Sequence, residues 1–302
     1  MSIPTFYWPY LPYGPCPCQS GKKAKFCCRK GAKWVTKPKW VPSEVLPPKT
    51  GSNHPKCIAA GAGRCDPDGK ISREHLIPRG VLSLISKEIL VRGLGPERVV
   101  TLNNLTAKVL CKAHNERLSP LDSTLKTLLE KLQEHVKKVS RGEEELLLLN
   151  GDDVEFALLR MAWCLVESGA LETPLSVNPK WKSVLYGEES WPSRWGLYVK
   201  KNGVGVDHGP PFGRILIGLS ADEGHLCQLN LKFGPWLLSL HVGNSNPPSP
   251  FEFQLRPDIL VTQLGLVDPL LMQPKTYSGI HFTYTHTPHG GWVRETIEVL
   301  RL

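Results

Sequence analysis

The stretch from Cys57 to Asn115 gathers residue types that metals and phosphates recognise. Cys57 and Cys65 come first, then Glu74 and His75, then Asn103 and Asn104, and last Cys111, His114 and Asn115. Three thiols and an imidazole are the ligand set of a closed, tetrahedral structural zinc site, with Cys111 and His114 at Cys-x-x-His spacing as one half of it. Gly61 and Gly63, between Cys57 and Cys65, permit a loop tight enough to aim both thiols at one ion. Such a site clamps distant parts of a small unit and contributes on the order of ten kcal/mol to its folding. Glu74, His75 and Asn115 suggest different chemistry. Hydrolysis of a phosphodiester needs a base for water, a group that orients the base, and positive charge for the transition state. His75 titrates near neutrality and suits the first role, while Glu74 offers a hard oxygen to Mg²⁺ or Mn²⁺. Adjacent residues on a strand point to opposite faces, so Glu74 and His75 serve one site only where the strand ends or twists. Pro78 is consistent with such an ending.

Taken in order, EHLIP at Glu74 to Pro78, NNL at Asn103 to Leu105 and CKAHN at Cys111 to Asn115 resemble the HNH endonucleases of the ββα-metal class. The resemblance implies a nuclease in which His75 is the general base, Asn104 orients it, and Glu74 with Asn115 holds a catalytic divalent ion, Mg²⁺ or Mn²⁺. The chain departs from the family's pattern in its Cys57–Cys65 spacing. It departs again in the distance from Asn104 to Cys111, which leaves Asn103 and Asn104 as alternatives. The second reading is a non-catalytic, zinc-stabilised adaptor that binds nucleic acid or protein.

A second cysteine group, Cys16, Cys18, Cys27 and Cys28, lies in PCPCQSGKKAKFCC, a Cys-x-Cys and a Cys-Cys separated by a basic spacer. Four thiolates across a short loop make a tetrahedral zinc site and let a tiny segment fold without a core of its own. The stretch resembles the SEC-C motif, a short zinc-binding module, with Gln19 where that motif usually has Gly. The resemblance implies docking to a protein partner, and the basic spacer would also suit phosphates. Zinc is therefore expected at about two ions per chain. The remaining cysteines, Cys164 and Cys227, sit in apolar contexts and read as small buried hydrophobes.

Charge is unevenly distributed. The first 56 residues carry ten Lys/Arg against one acid, Glu44, and the rest carries 27 of each sign, so the whole net +9 lies in the N-terminal extension. A basic arm of this kind attracts polyanions, nucleic acid first. No apolar run approaches the roughly eighteen residues of a membrane span, and the start lacks the pattern of a secretory signal. Nine cysteines without such a signal favour metal ligation in a reducing compartment over disulfides, and seven of them fall in the two ligand sets, so a soluble, cytoplasmic protein without membrane contact is expected.

The elements that must position these residues are of mixed type. Residues 1–30 read as a Pro- and aromatic-rich start followed by the zinc motif, and 31–56 as a Pro/Lys/Trp linker in which Trp34 and Trp40 stand among lysines. Residues 57–125 form the HNH-like unit. A helical connector spans 126–178: Leu125, Leu128, Leu129, Leu132, Val136 and Val139 recur at helical spacing, with Asp122 or Ser123 as cap and His135 on an outer face. EELLLLNGDD leads to a second helix closed by Gly169. From 179 to 302, short alternating runs separated by Gly, Pro and Asn read as an antiparallel β-rich domain whose histidines are structural. The fold class is thus α+β. The expected function is cleavage of nucleic acid, DNA first, as in defence or mobile-element nucleases, with a protein partner through the SEC-C-like motif or the β-rich domain.

Overall fold

The computed structural model describes residues 13–30, 33–36, 53–62, 65, 70–86, 88–91, 94, 97–141, 143, 146–192, 195–200, 215–234 and 236–243, and strand segments within 253–283. The expectations for residues 1–12, for most of the linker including Trp40, and for the last strand after residue 283 lie outside the described residues, as do Gly63, His208, His286 and His289.

The candidate site stands on a hairpin and a helix. Strand β3 (Ile71–His75) pairs antiparallel with β6 (Thr106–Cys111), Ile71 opposite Cys111 and His75 opposite Thr106. The register shifts between Ser72 and Glu74. A bulge of this kind re-aims side chains and is common beside functional sites. A short helix, α1 (Arg79–Leu82), follows Pro78, and a second pair, β4 (Glu88–Val91) and β5 (Arg98–Thr101), precedes the turn that carries Asn103 and Asn104.

Directly after β6 the chain enters α2 (Lys112–Ser140), 29 residues and about 43 Å long. The sequence expects a helix capped at Asp122 or Ser123, whereas the structure starts it at Lys112 with Pro120 in its interior. Pro120 leaves the Glu116 carbonyl without its helical N–H, and the Ser119 hydroxyl donates to that carbonyl at 2.8 Å. Leu118 and Leu121 are buried on either side of the proline, so packing also favours continuation. Leu125, Leu128, Leu129 and Leu132 are buried as their spacing implies. His135 is buried too, its ring 6.3 Å from that of Trp236, and not on an outer face. Two sides of the helix are therefore covered, not one.

LLLLN becomes a strand, β7 (Leu146–Asn150), where the sequence reading saw only an approach to a helix. It pairs in parallel with β14 (Tyr277–Thr283), which in turn pairs with β13 (Ile259–Leu264). Helix α3 (Gly151–Glu167) starts at Asn150, whose side chain accepts from Asp153 N at 2.8 Å. This helix is buried nearly all round, as befits the centre of a core. It lies against α2, a short helix α4 (Lys180–Leu185) and β8 (Gly196–Lys200), the last tied on by a hydrogen bond from Leu197 N to Glu155 Oε1. A five-stranded antiparallel sheet holds β8, β9 (Ile215–Asp222), β10 (His225–Phe233), β11 (Trp236–His241) and β12 (Phe253–Leu255) in the order β12-β8-β11-β10-β9. Mixed helix and sheet is the observed class. Cys164 and Cys227 are buried as expected.

Candidate functional site: two cysteine clusters and a His-bearing strand end

The first cluster assembles where β6 meets α2. Cys111 ends the strand, His114 sits in the first helical turn, and the loop before β3 supplies Cys57 and Cys65, with Gly61 at φ +90° making the reversal between them. The four ligand atoms all lie within 4.8 Å of one another. His114 Nδ1 is 3.1 Å from Cys111 Sγ, 3.5 Å from Cys57 Sγ and 3.8 Å from Cys65 Sγ. Ordinary zinc bond lengths in a tetrahedron place sulfur and nitrogen about 3.6 Å apart. The cluster therefore has zinc dimensions. Its surroundings fit as well: His114 Nε2 lies 3.3 Å from the Ala62 carbonyl, the arrangement that fixes a ligating imidazole, and Cys111 N donates to Cys57 Sγ at 3.3 Å. Burial pushes the Cys57 thiol up to about 12, with the charges of Cys111 and Cys65 adding to it, so without a cation this thiol stays protonated. All four residues are buried, so this cluster is closed and structural in kind.

The second cluster, Cys16, Cys18, Cys27 and Cys28, also has its ligand atoms within 4.8 Å of one another. Cys18 and Cys27 sulfurs are 3.5 Å apart, and Cys27 and Cys28 sulfurs 3.6 Å. Burial opposes ionisation of Cys18, but hydrogen bonds with Ser20 and Cys16 outweigh it and bring the thiol down to about 7. Gln19 has φ +60°, the left-handed region that favours glycine, which explains why Gly is usual at this place in the motif it resembles. The module does not dangle. Leu148 of β7 packs with Cys16, Ala24 and Cys28, Leu148 N donates to the Pro17 carbonyl at 3.1 Å, and Lys131 of α2 donates to the Cys18 carbonyl at 2.8 Å. The start of the expected linker belongs to it too: Lys33–Trp34 (β2) pairs with Arg29–Lys30 (β1), and Thr36 accepts from Asn150 Nδ2 at 3.0 Å.

At the far end of the hairpin the bulge turns Glu74 inward and leaves His75 half-buried at the strand's last position. The backbone of Leu102 forms a hydrogen bond with the His75 ring, and Nε2 is shielded from solvent without a hydrogen-bond partner. Nε2 is thus the buried, unpaired nitrogen of the ring. Burial, with the nearby charge of Arg79 and more weakly that of Arg160, holds His75 below its ordinary value, so the ring is neutral at pH 7. Leu76 N donates to the Leu105 carbonyl at 3.1 Å, which laces the Asn103–Asn104 turn to the end of β3; both asparagines are exposed.

Glu74, read from the sequence as a ligand for a divalent ion, faces a guanidinium instead. Its Oε1 pairs with Arg160 Nη2, and Arg160 Nη1 pairs with Asp122 Oδ1. Glu74 is only 2 % exposed, and Arg160 comes from the middle of α3. Burial raises Glu74 above the usual carboxylate range against the pull of Arg160. Asp122, expected as a helix cap, is pushed up to about 7 by burial, with Arg160 pulling it down and the Glu74 charge adding to the rise. Asn115 stands seven residues before Asp122 on α2, about 10 Å back along the axis toward the cysteine cluster. The residue of α2 that meets Glu74 through Arg160 is therefore Asp122 and not Asn115. Nor is a Mg²⁺ or Mn²⁺ site on Glu74 and Asn115 a fit to these contacts, because the carboxylate is buried and already neutralised.

Sequence reasoning missed Arg160 and Asp122. A lone arginine inside the apolar run VEFALLRMAWCLVE was the available signal, since an unpaired buried guanidinium is not tolerated. Arg79, exposed at the start of α1 and close enough to influence His75, was missed as well. Of the histidines in the β-rich half, His225 meets Ser176 Oγ at 2.7 Å and His241 is buried beside the Tyr198 ring, and neither joins a metal-sized cluster among the described residues. No described helix is long and apolar enough to cross a membrane. No family model matches this chain, and neither curated proteins nor solved structures include one significantly similar to it.

Proposed function

We propose that the chain is an HNH-type endonuclease that hydrolyses phosphodiester bonds in DNA, with His75 as the general base. The observation that carries the reading is the placement of that imidazole at the end of a bulged strand, with Nε2 lacking a hydrogen-bond partner and burial holding the ring below its ordinary value. A buried acceptor left unpaired costs about 1–3 kcal/mol and is tolerated where function needs it. In the proposed step Nε2 takes a proton from water, the hydroxide oxygen bonds to phosphorus, and the bond from phosphorus to the leaving oxygen breaks. The leaving oxygen is protonated from solvent. Exposed Arg79 supplies positive charge beside the base, and the Asn103–Asn104 turn, with Asn104 as the expected orienter, backs the ring through the neighbouring Leu102 carbonyl. Zinc at the two cysteine clusters would hold the frame and take no part in the chemistry. No step runs through an ion on Glu74 and Asn115. Glu74, Arg160 and Asp122 instead fasten β3 to α2 and α3 directly behind His75.

That same ionic cluster favours a second reading, a zinc-framed adaptor that binds DNA without cutting it, because the carboxylate beside the histidine is not free. Plasmid nicking separates the two. Zinc-loaded protein is incubated with supercoiled DNA in Mg²⁺, in Mn²⁺ and in neither. The expected result is cleavage by the parent, lost by at least about a hundredfold in His75→Ala, which falls in the usual range for removing a general base. Binding without cleavage under every condition, or cleavage that persists in His75→Ala, overturns the assignment. Cleavage that needs Mg²⁺ or Mn²⁺ and is lost in His75→Ala keeps the base assignment and adds a divalent ion to the step.

A further inference from the structure

The docked N-terminal module displays a surface that neither the hairpin chemistry nor the cysteines account for. Phe26 is 69 % exposed and Tyr13 is 59 % exposed, the two most exposed aromatic side chains among the large hydrophobics at the described surface. Between them stands Lys25, whose ammonium donates to the Tyr13 hydroxyl at 3.0 Å and lies 5.0 Å from the centre of the Tyr13 ring and 5.8 Å from that of Phe26. Lys22 and Lys23 are exposed on the same short loop, and residues 13–30 contain no acid at all. An exposed phenylalanine gives the fold nothing, and two rings bridged by a cation form a preset platform with little side-chain entropy left to lose. The platform is also anchored, since Leu148 packs under the module and Lys131 holds the Cys18 carbonyl.

We infer that Tyr13, Lys25 and Phe26, with Lys22 and Lys23, form a binding site for single-stranded nucleic acid. Two ring faces stack on successive bases while the lysines neutralise phosphates. Both halves of the patch are needed for this ligand. A duplex hides its base faces from such rings, whereas an anionic membrane or an acidic peptide would use the lysines and leave the stacking faces idle. The inference goes beyond the nuclease reading and stands independently of it, because the site lies on a different module from His75.

The test is fluorescence anisotropy with full-length, zinc-loaded protein and three probes: a labelled single strand of about a dozen nucleotides, the matching duplex, and anionic lipid vesicles. Tyr13→Ala with Phe26→Ala is expected to lose about tenfold or more of the affinity for the single strand, with the slope of log K against log salt unchanged and duplex binding unaltered. Lys22→Ala, Lys23→Ala and Lys25→Ala together are expected to reduce the single-strand slope by about two units, at roughly 0.7 per phosphate contact. Tyr13→Phe with Phe26→Trp keeps the platform and is expected to keep the affinity, which separates stacking from damage to the module; zinc content reports the latter directly. The inference is overturned if the aromatic pair can be removed without loss for the single strand, if duplex affinity falls equally, or if vesicles bind and oligonucleotides do not.

Discussion

The two ends of the β3–β6–α2 unit solve one problem with different cations. At the Cys111–His114 end, three sulfurs and an imidazole converge with tetrahedral spacing, and the charge that would hold them must come from outside the chain. At the Glu74–His75 end, two carboxylates converge and the chain brings its own cation, Arg160 from α3. A dication bound by thiolates makes a joint whose strength depends on metal supply and on thiol deprotonation. A guanidinium is permanently charged, planar and donates to two acceptors at once, so it makes a joint that no chelator can open. The difference separates two tasks. The cysteine end, with an ion bound, would close the unit around a small core, while the arginine end ties the unit to the central helix and sets the backbone immediately before His75.

The comparison breaks most visibly at the metal end. Cys111→Ser, or removal of zinc by a strong chelator, is expected to unfold the hairpin unit, since structural zinc supplies on the order of 10 kcal/mol to comparable small modules. Metal analysis should find two zinc ions in the parent and one in Cys111→Ser, and circular dichroism should show the loss of structure. A zinc-free parent with an unchanged spectrum would remove the cation from that end. At the other end chelators should do nothing and Arg160→Met should cost about 3–5 kcal/mol in urea unfolding, because buried Glu74 and half-buried Asp122 are left without a counter-charge. Replacing all three residues by apolar ones, Glu74→Leu and Asp122→Leu with Arg160→Met, should recover most of that loss. A triple variant no more stable than Arg160→Met would mean that packing of the long arginine stem, and not charge pairing, holds the joint.

The metal end was readable from the sequence and the arginine end was not, and range explains why. Cys111 and His114 lie three residues apart and Cys16 to Cys28 within one loop, so residue type and spacing alone narrow their purpose. Arg160 reaches Glu74 across 86 residues of chain, and no local pattern records such a pairing. Asp122 misled because SPLDS has the composition of a helix start, although Ser119 satisfies the carbonyl that Pro120 strands and the helix continues. Leu146–Asn150 gave no sign of strand because its partner, Tyr277–Thr283, is far away and parallel. His135 was placed outward on periodicity that sees one apolar stripe, whereas the sheet residue Trp236 covers a second side of the helix. The leucine stripe and the two cysteine sets were legible because each is decided by residue types and spacings close together in the chain.

A smaller effect sharpens the same contrast through protons. Asp122 titrates ordinarily near 3.8 and is pushed up to about 7 in the fold, by burial first and by the Glu74 charge in addition, against the pull of Arg160. Between those values the folded chain keeps a proton that the unfolded chain has lost. The stability this residue contributes is therefore complete below the lower value and declines as pH rises toward 7. Asp122→Asn has no such proton to lose, so its stability relative to the parent should rise between pH 5 and pH 8 by on the order of 2 kcal/mol. The comparison is made on urea midpoints with zinc in excess, so that protonation of the cysteine and histidine ligands weighs equally on both proteins. Glu74, also raised by burial, leaves a residual slope of the same sign in the variant. Parallel curves for parent and Asp122→Asn would show that Arg160 neutralises both carboxylates fully, and the arginine end would then be as indifferent to pH as it is to chelators.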